Sequence, residues 1–509
     1  MAQRISFGNL PTGGGSARGG GAFRILLMGD FSGRAHRGLR EPIAGRRVAL
    51  LDVDNWEEVL AGLGTEVRVP VGASADAAIA IRPREIDDFH PERMFDELEV
   101  FQALRSLRRR LMDSSTFEAA AAEVRAWAAQ PADAPEAAEP TPTAAEDAET
   151  EGDVLGRLLG ERPAHAARTS SRPAGAAGID ALLRDIVAPH VVPDRDQEQS
   201  ALVARVDEAV AAQMRAVLHD ANLQAVEAAW RSVHFLVTHL ETDEDLKLHL
   251  MDATKEEVAA DLTASEDLQS TALFKLLVSQ SVRTAGGEPW AVLAGGFSFD
   301  PTVADASLLG RLGKIAEAAG APFVAAARDR VAGCESLAAS PDPDDWTLEP
   351  PADAAEAWAE LRKLPEASWL ALGLPRMLLR LPYGRDTDPI DVFDLEELVE
   401  GAGHECYLWG NPAFAIVQVL GAGFTEHGWG MAAELYRDIE SLPMHVYTRD
   451  GERCVMPCAE AYLTDRAGQA LQEMGLTALL SVRGRDVVRI RGVAALRDPA
   501  AALSGRWGG

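Results

Sequence analysis

Residues 23–34 read Phe-Arg-Ile-Leu-Leu-Met-Gly-Asp-Phe-Ser-Gly-Arg, an apolar run that breaks abruptly into Gly, Asp, Ser and Gly. Such a run, bounded by turn residues, predicts a core strand over Arg24–Met28, followed by a tight polar exit. A Gly-rich tract, PTGGGSARGGG, lies just upstream. The combination invites a phosphate-loop reading. A phosphate loop of the Gly-x-x-x-x-Gly-Lys-Ser/Thr kind needs its Lys on the terminal phosphates and its hydroxyl on Mg²⁺, and neither tract supplies that Lys. The tract also precedes the first strong strand instead of following it, so it reads as an arm joining the strand-like Arg4–Phe7 to the first domain. Asp30 and Ser32 read as turn residues that satisfy local backbone donors.

The stretch has an echo. PWAVLAGGFSFD at 289–300 repeats the pattern of apolar strand, Gly, a variable residue, Phe and Ser. A turn that occurs twice points to a repeated structural element more than to a unique active site.

Working outward, the first 130 residues carry strand patterns at Arg47–Leu51, Glu66–Pro70 and Ala78–Ile81 and helical signals at Asn55–Leu63 and from Pro91 to about Ala129. In the latter, Phe101, Leu104, Leu107 and Leu111 form one apolar stripe. Residues 131–178 are rich in Ala, Pro, Glu, Asp and Thr, with few large apolar residues. That composition cannot bury enough surface to fold and predicts a tether. From 179 onward the chain reads as globular. A helical portion carries Val226, Trp230, Val233 and Leu236. Strands follow at Asp245–Met251, Trp290–Ala294 and Pro322–Ala326, alternating with helices at 265–282 and 304–319. The pattern is α/β, with α+β mixing. The expected organisation is thus 1–130, a linker at 131–178, and 179–509.

The 509 residues hold 49 Lys and Arg against 79 Asp and Glu, a net charge of −30. That balance disfavours nucleic-acid binding and an anionic membrane face. No apolar stretch reaches spanning length, no secretory leader is visible, and four cysteines make no disulfide framework; these features predict a reduced, cytoplasmic protein. His404, Cys406, His427, His445, Cys454 and Cys458 lack the spacing of a zinc site. No Gly-x-Ser-x-Gly elbow is present. Arg376, Arg380 and Arg385 in LPRMLLRLPYGRD read by default as a solvated face, with pairing to acidic groups on this or another subunit as the second reading. The sequence therefore predicts no catalytic, cofactor or metal residues.

Several long stretches carry a resemblance. RILLMGDFSGR, DVDNWEEVL and IDDFHPERMFDELEVFQALRSLRRRL resemble the small sheath subunit of the type VI secretion system. LQAVEAAWRSVHFLV, DLKLHLMDATKEEVAADL, ALFKLLVSQSVRTAGGEPWAVLAGGFSF, APFVAAA, LGLPRMLLRLPYG, LWGNPAFAI and EAYLTDRAGQALQEMGLTAL resemble the large one, in the same order. The chain thus resembles a natural fusion of both. The resemblance implies a contractile tail-sheath-like fold with two intertwined sheath domains. It also implies a helical homopolymer around an inner tube, contacts with baseplate components, and contraction by a switch between packings. Terminal strands that add to a neighbour's sheet are implied too, and the positions that fit are Arg4, Ile5, Ser6 and Phe7 together with Leu479, Leu480, Val482, Val487, Val488 and Ile490. In the family a Clp-type AAA+ ATPase pulls on an amphipathic helix of the large subunit. Leu182, Leu183, Ile186 and Val187 occupy that place, although Pro189 cuts the helix short and the segment is internal; packing on its own domain is the competing reading. A sheath of a phage-tail-like particle and a nucleotide enzyme using residues 29–33 remain as alternatives.

Overall fold

The computed structural model describes residues 5–10, 20–71, 78–129, 183, 186, 187, 199–431 and 436–507. The chain divides into two compact units, one of residues 1–71, 75–98 and 211–509, the other of 72–74 and 99–210. The larger unit is built on a nine-stranded sheet. Its strands are β1 (Phe23–Gly29), β2 (Ala49–Leu51), β5 (Leu246–Asp252), β6 (Val292–Phe299), β7 (Phe323–Ala327), β8 (Leu370–Leu374), β11 (Tyr436–Ile439), β14 (Leu476–Ser481) and β15 (Val488–Arg491). Two-stranded pairs complete it: β3 (Val67–Pro70) with β4 (Ala78–Ile81), β9 (Met377–Leu378) with β10 (Trp409–Gly410), β12 (His445–Arg449) with β13 (Glu452–Met456), and β16 (Ala494–Ala495) with β17 (Ala501–Ala502).

The order across the sheet is β11-β15-β14-β8-β7-β6-β1-β5-β2. From β14 to β5 all neighbours run parallel, while β2, β15 and β11 are antiparallel additions at the margins. Parallel strands are covered on both faces, which is why they read in sequence as unbroken apolar runs. β1 is the clearest case: Phe23, Ile25, Leu26, Leu27 and Met28 are fully buried. It lies between two strands of the second half of the chain, pairing Phe23 to Gly29 with Leu246 to Asp252 and Ile25 to Met28 with Val292 to Gly295. The echoing strands are thus neighbours in one sheet.

Two helical expectations need correction. The span predicted as one helix at 265–282 is a 3-10 turn (Leu268–Ser270), one helical turn (Ala272–Phe274) and a π segment (Lys275–Ser279). The Asp261 carboxylate accepts the amides of Ala272 and Leu273, and Thr271 Oγ1 accepts that of Phe274, so a new element starts there. The span from Pro91 to Ala129 is three helices, Pro91–Glu97, Glu99–Met112 and Phe117–Ala129. Leu98 is extended, and Asp113 receives Ser115 in a turn before the last helix.

The smaller unit buries the predicted stripe of Phe101, Leu104, Leu107 and Leu111. There Arg108 grips the Asp207 carboxylate with Nε and Nη2 at 2.5 and 3.2 Å, and Gln199 Nε2 donates to Leu111 O at 2.6 Å.

Candidate functional site

In an open parallel sheet the place to look for a ligand is the crevice at the carboxyl ends of the strands, where the strand order reverses. Here that point is β1, flanked by β5 on one side and β6 on the other. A cleft of about 1350 Å³ opens there, lined by Gly29–Phe31 after β1, Gly296–Ser298 of β6, Ala326–Arg330 at the end of β7, and Arg376 after β8. The stretch that resembles a phosphate loop and its echo both face it.

The loop after β1 spends its own donors. The Asp252 carboxylate, at the end of β5, accepts the amides of Phe31 and Ser32 at 2.9 and 3.1 Å. Asp30 accepts those of Arg34 and Ala35, both at 2.8 Å. An acid of the chain itself therefore stands where a phosphate would. Gly33 sits at φ +70°, and a Cβ there would lie 2.7 Å from Glu66 O, so the turn requires glycine. Phe31 O accepts Trp230 Nε1 at 2.8 Å and Thr65 Oγ1 at 3.0 Å, which ties the loop to the helix Ala221–His239.

Buried ions join the two halves of the sequence at this place. Arg34 Nη2 lies 3.1 Å from Asp252 and 3.2 Å from Glu257, and Arg46 Nη1 lies 2.9 Å from Glu257. Glu257 also accepts the amides of Glu41 and Thr254 at 2.7 and 3.0 Å. Burial pushes the Asp252 carboxyl up, with the Arg34 charge opposing. For Glu257 burial acts in the same sense, but hydrogen bonds from Arg46 and from backbone amides win and hold it down.

On the far wall, Arg376 grips Glu405 with two bonds of 2.8 Å and also binds Glu460, with Nε–Oε2 at 2.9 Å. His404 Nε2 lies 2.9 Å from Glu460, and its ring stacks on Trp409 at 4.8 Å. Burial would raise the Glu460 carboxyl, yet hydrogen bonds from Arg376 and His404 hold it at about 2. Asp329 behaves oppositely: burial and the nearby Glu460 charge push it up to about 6. His404, Glu405 and Glu460 offer ligand atoms within 4.8 Å of one another, a grouping a divalent ion could use, but the Arg376 guanidinium already supplies the positive charge there. Spacing had grouped His404 with the cysteines. The fold groups it with its own neighbour Glu405 and with Glu460, 56 residues on, and no local motif announces the latter.

Of the three arginines singled out, Arg385 makes an exposed pair with Asp394 at 2.6 Å. Arg380 is buried, with Nε 2.9 Å from Glu227 and Nη1 and Nη2 2.7 and 3.0 Å from Glu397. Burial raises Cys334 to about 12 and Cys458 to about 11, which removes their thiolates at neutral pH.

The positions expected to link subunits fall differently. Arg4 and Leu182 lie outside the described residues. Ile5, Ser6 and Phe7 form no strand; they run along the helix Val303–Ala319. Leu479 and Leu480 lie in β14, Val488 and Ile490 in β15, and Val482 and Val487 close the turn between them with a 3.0 Å bond. This hairpin is internal to the sheet, because β8 flanks β14 and β11 flanks β15. Among the described residues the outermost strands of this sheet are β11 and β2. Leu183, Ile186 and Val187 are buried.

Among the described residues, then, the larger unit is an α/β body whose strand-end cleft has ion pairs of its own along one wall and whose sheet takes strands from both halves of the sequence. That is the build of a packed structural module. Comparison with known proteins agrees. Residues 200–497 match the family described as EvpB/VC_A0108, tail sheath N-terminal domain, and residues 9–125 match the family described as Type VI secretion system, VipA, VC_A0107 or Hcp2. The chain is 32% identical over 305 residues to the type VI secretion system sheath protein TssC1 of Pseudomonas aeruginosa, over 59% of this chain and 61% of that protein. The chain belongs to the type VI secretion tail-sheath family and carries matches to both its small- and large-subunit parts. It spans about 61% of the length of that curated relative.

Proposed function

We propose that this one chain supplies both subunit parts of a contractile sheath, 1–130 as the small part and 179–509 as the large part, joined through 131–178. It acts through packing and not through chemistry. It polymerises helically in the cytoplasm around an inner tube, meets baseplate components at its end, and contracts by exchanging one packing for another. Joining the parts fixes their ratio at one to one and makes their association intramolecular. The observation that carries this reading is β1 of the first half seated between β5 and β6 of the second. Two type VI family matches in one chain favour a secretion sheath over a phage-tail-like particle. Loop donors that end on Asp252 and Asp30 count against a nucleotide enzyme. Recycling by a Clp-type AAA+ ATPase through Leu183, Ile186 and Val187 requires those buried side chains to be released first.

The test is to place a specific protease site near residue 150 and cut the purified chain. The fragments are expected to co-elute at the uncut size in native buffer and to part only in denaturant. Separation in native buffer contradicts the shared sheet.

A further inference from the structure

Two exposed segments of the larger unit carry opposite charge around apolar side chains. The first is a strap at 385–400, between β9 and β10. Its burial alternates: Phe393 stacks on Phe95 with ring centroids 4.7 Å apart, and Leu395 and Glu397 are buried. The Asp391 amide donates to Glu92 Oε1 at 2.8 Å, and the Tyr383 amide to Glu397 at 2.7 Å. These contacts hold the strap in one register, with Val392, Asp394 and Glu396 exposed between the inward residues. Val392 is 49% exposed and Val399 is 47% exposed. Around them Asp386, Asp388, Asp391 and Glu400 are exposed and make no ion pair among the described residues, whereas Asp394 holds Arg385 at 2.6 Å.

The second segment is the loop at 34–47, RAHRGLREPIAGRR, which sets five arginines against Glu41. Arg34 and Arg46 are committed to Asp252 and Glu257, and Arg37 to the carbonyls of Ser32 and Gly33. Arg40 and Arg47 are exposed and make no ion pair among the described residues, and Leu39 beside Arg40 is 47% exposed. Exposed apolar side chains rimmed by charge mark contacts with other proteins. The sign of the charge then selects the geometry. A strap set against the same strap of a second copy puts acid against acid and repels. Its complement is a basic patch elsewhere on that copy, which the loop at 34–47 supplies. A contact between unlike patches of identical molecules is heterologous, and when its rotation does not close it continues as an open helical filament.

We infer that the strap at 385–400 of one copy docks on the loop at 34–47 of a second copy, its two valines against Leu39 and its free acids toward Arg40 and Arg47. This rests on the sheath reading and names a side-chain contact between the bodies of successive copies. In a chain of net charge −30 the copies repel one another overall, so a local match of sign also selects which faces meet.

The test is a charge swap in the full chain. Asp391→Lys with Glu400→Lys reverses the strap, and Arg40→Glu with Arg47→Glu reverses the loop. Light scattering and pelleting give the lowest concentration at which tubes form, and circular dichroism melts report the fold. Each reversal is expected to raise that concentration at least about tenfold with an unchanged melt. The chain carrying all four substitutions is expected to return to within about threefold of the wild type, since the match is restored with its signs exchanged. Should a reversal melt early, the neutral pair Asp391→Asn with Glu400→Gln takes its place, with a rise of at least about threefold expected. Reversed or neutral variants that form tubes at the wild-type concentration overturn the contact and leave the strap to a different protein. Reversals that each block tubes without rescue in the combined variant overturn the pairing of these two segments while leaving the sheath reading intact. No tubes from the wild type at any concentration contradicts the sheath reading, and this contact with it.

Discussion

At the scale of single residues the buried ions carry most of the testable content. Arg380 is the cation for two buried carboxylates, so its loss leaves Glu227 with Arg231 and leaves Glu397 with the Tyr383 amide and the His219 ring 3.8 Å away, without the guanidinium charge. Arg380→Met is expected to cost about 3–5 kcal/mol in denaturant unfolding, the usual result of breaking a buried pair from one side. Asp329 offers a test with a pH signature. Its folded pKa of about 6 lies above the ordinary carboxylate value, so the folded state holds that proton more tightly. Stability from this group is therefore fully present below about pH 4 and is lost as pH rises toward 6. Asp329→Asn keeps an acceptor for the Leu337 amide and removes the buried charge. It should raise stability by about 1–3 kcal/mol at pH 7.5, with the gain gone near pH 4, as thermal melts at the two pH values would show. Glu460 runs the other way: its pairing stabilises above its ordinary range and is lost as pH falls toward 2. By default Arg376 and Arg380 read in sequence as a solvated face. Burial of Arg380 and the ion pairs of both follow the second reading, and the sequence does not name their partners. Arg380 and Glu227 are 153 positions apart, and nothing in the local pattern of either points to the other.

Among the elements, β1 has the most at stake. Its five fully buried side chains are each worth about 1.5–3 kcal/mol relative to exposure, an upper bound since unfolded chains bury some surface. Leu27→Asp places a charge between β5 and β6 and is expected to leave the chain in inclusion bodies or unfolded by circular dichroism. A soluble, cooperatively melting variant would contradict the central place given to this strand. Such strands were legible because burial on both faces writes an unbroken apolar run, as at residues 23–29, 246–252 and 323–327. The breaks inside 91–129 and 265–282 were not legible, since an apolar stripe continues across a change of axis while a side chain such as Asp261 resets the backbone. The arm at 5–7 alternates like a strand, and its docking on a helix depends on a missing Cβ at Gly310, three hundred residues away in sequence.

For the molecule as a whole, the composition boundary at 131–178 and the structural boundary do not coincide. Residues up to 71 and from 75 to 98 fold with 211–509 into one unit. The motif shared by residues 29–32 and 295–298 is a turn only in its first copy, after β1; the second copy lies within β6, where the register with β7 shifts between Ala294 and Ser298. The expected repeated turn is instead one strand exit and one irregular strand that line the same cleft. No helix among the described residues is long and apolar enough to cross a membrane. The central claim is that this interleaved body is the repeating unit of a polymer. Negative-stain electron microscopy of the purified full chain tests it most directly. Long tubes of constant diameter with a regular helical repeat are the predicted result, and a discrete monodisperse particle at every protein concentration would contradict it.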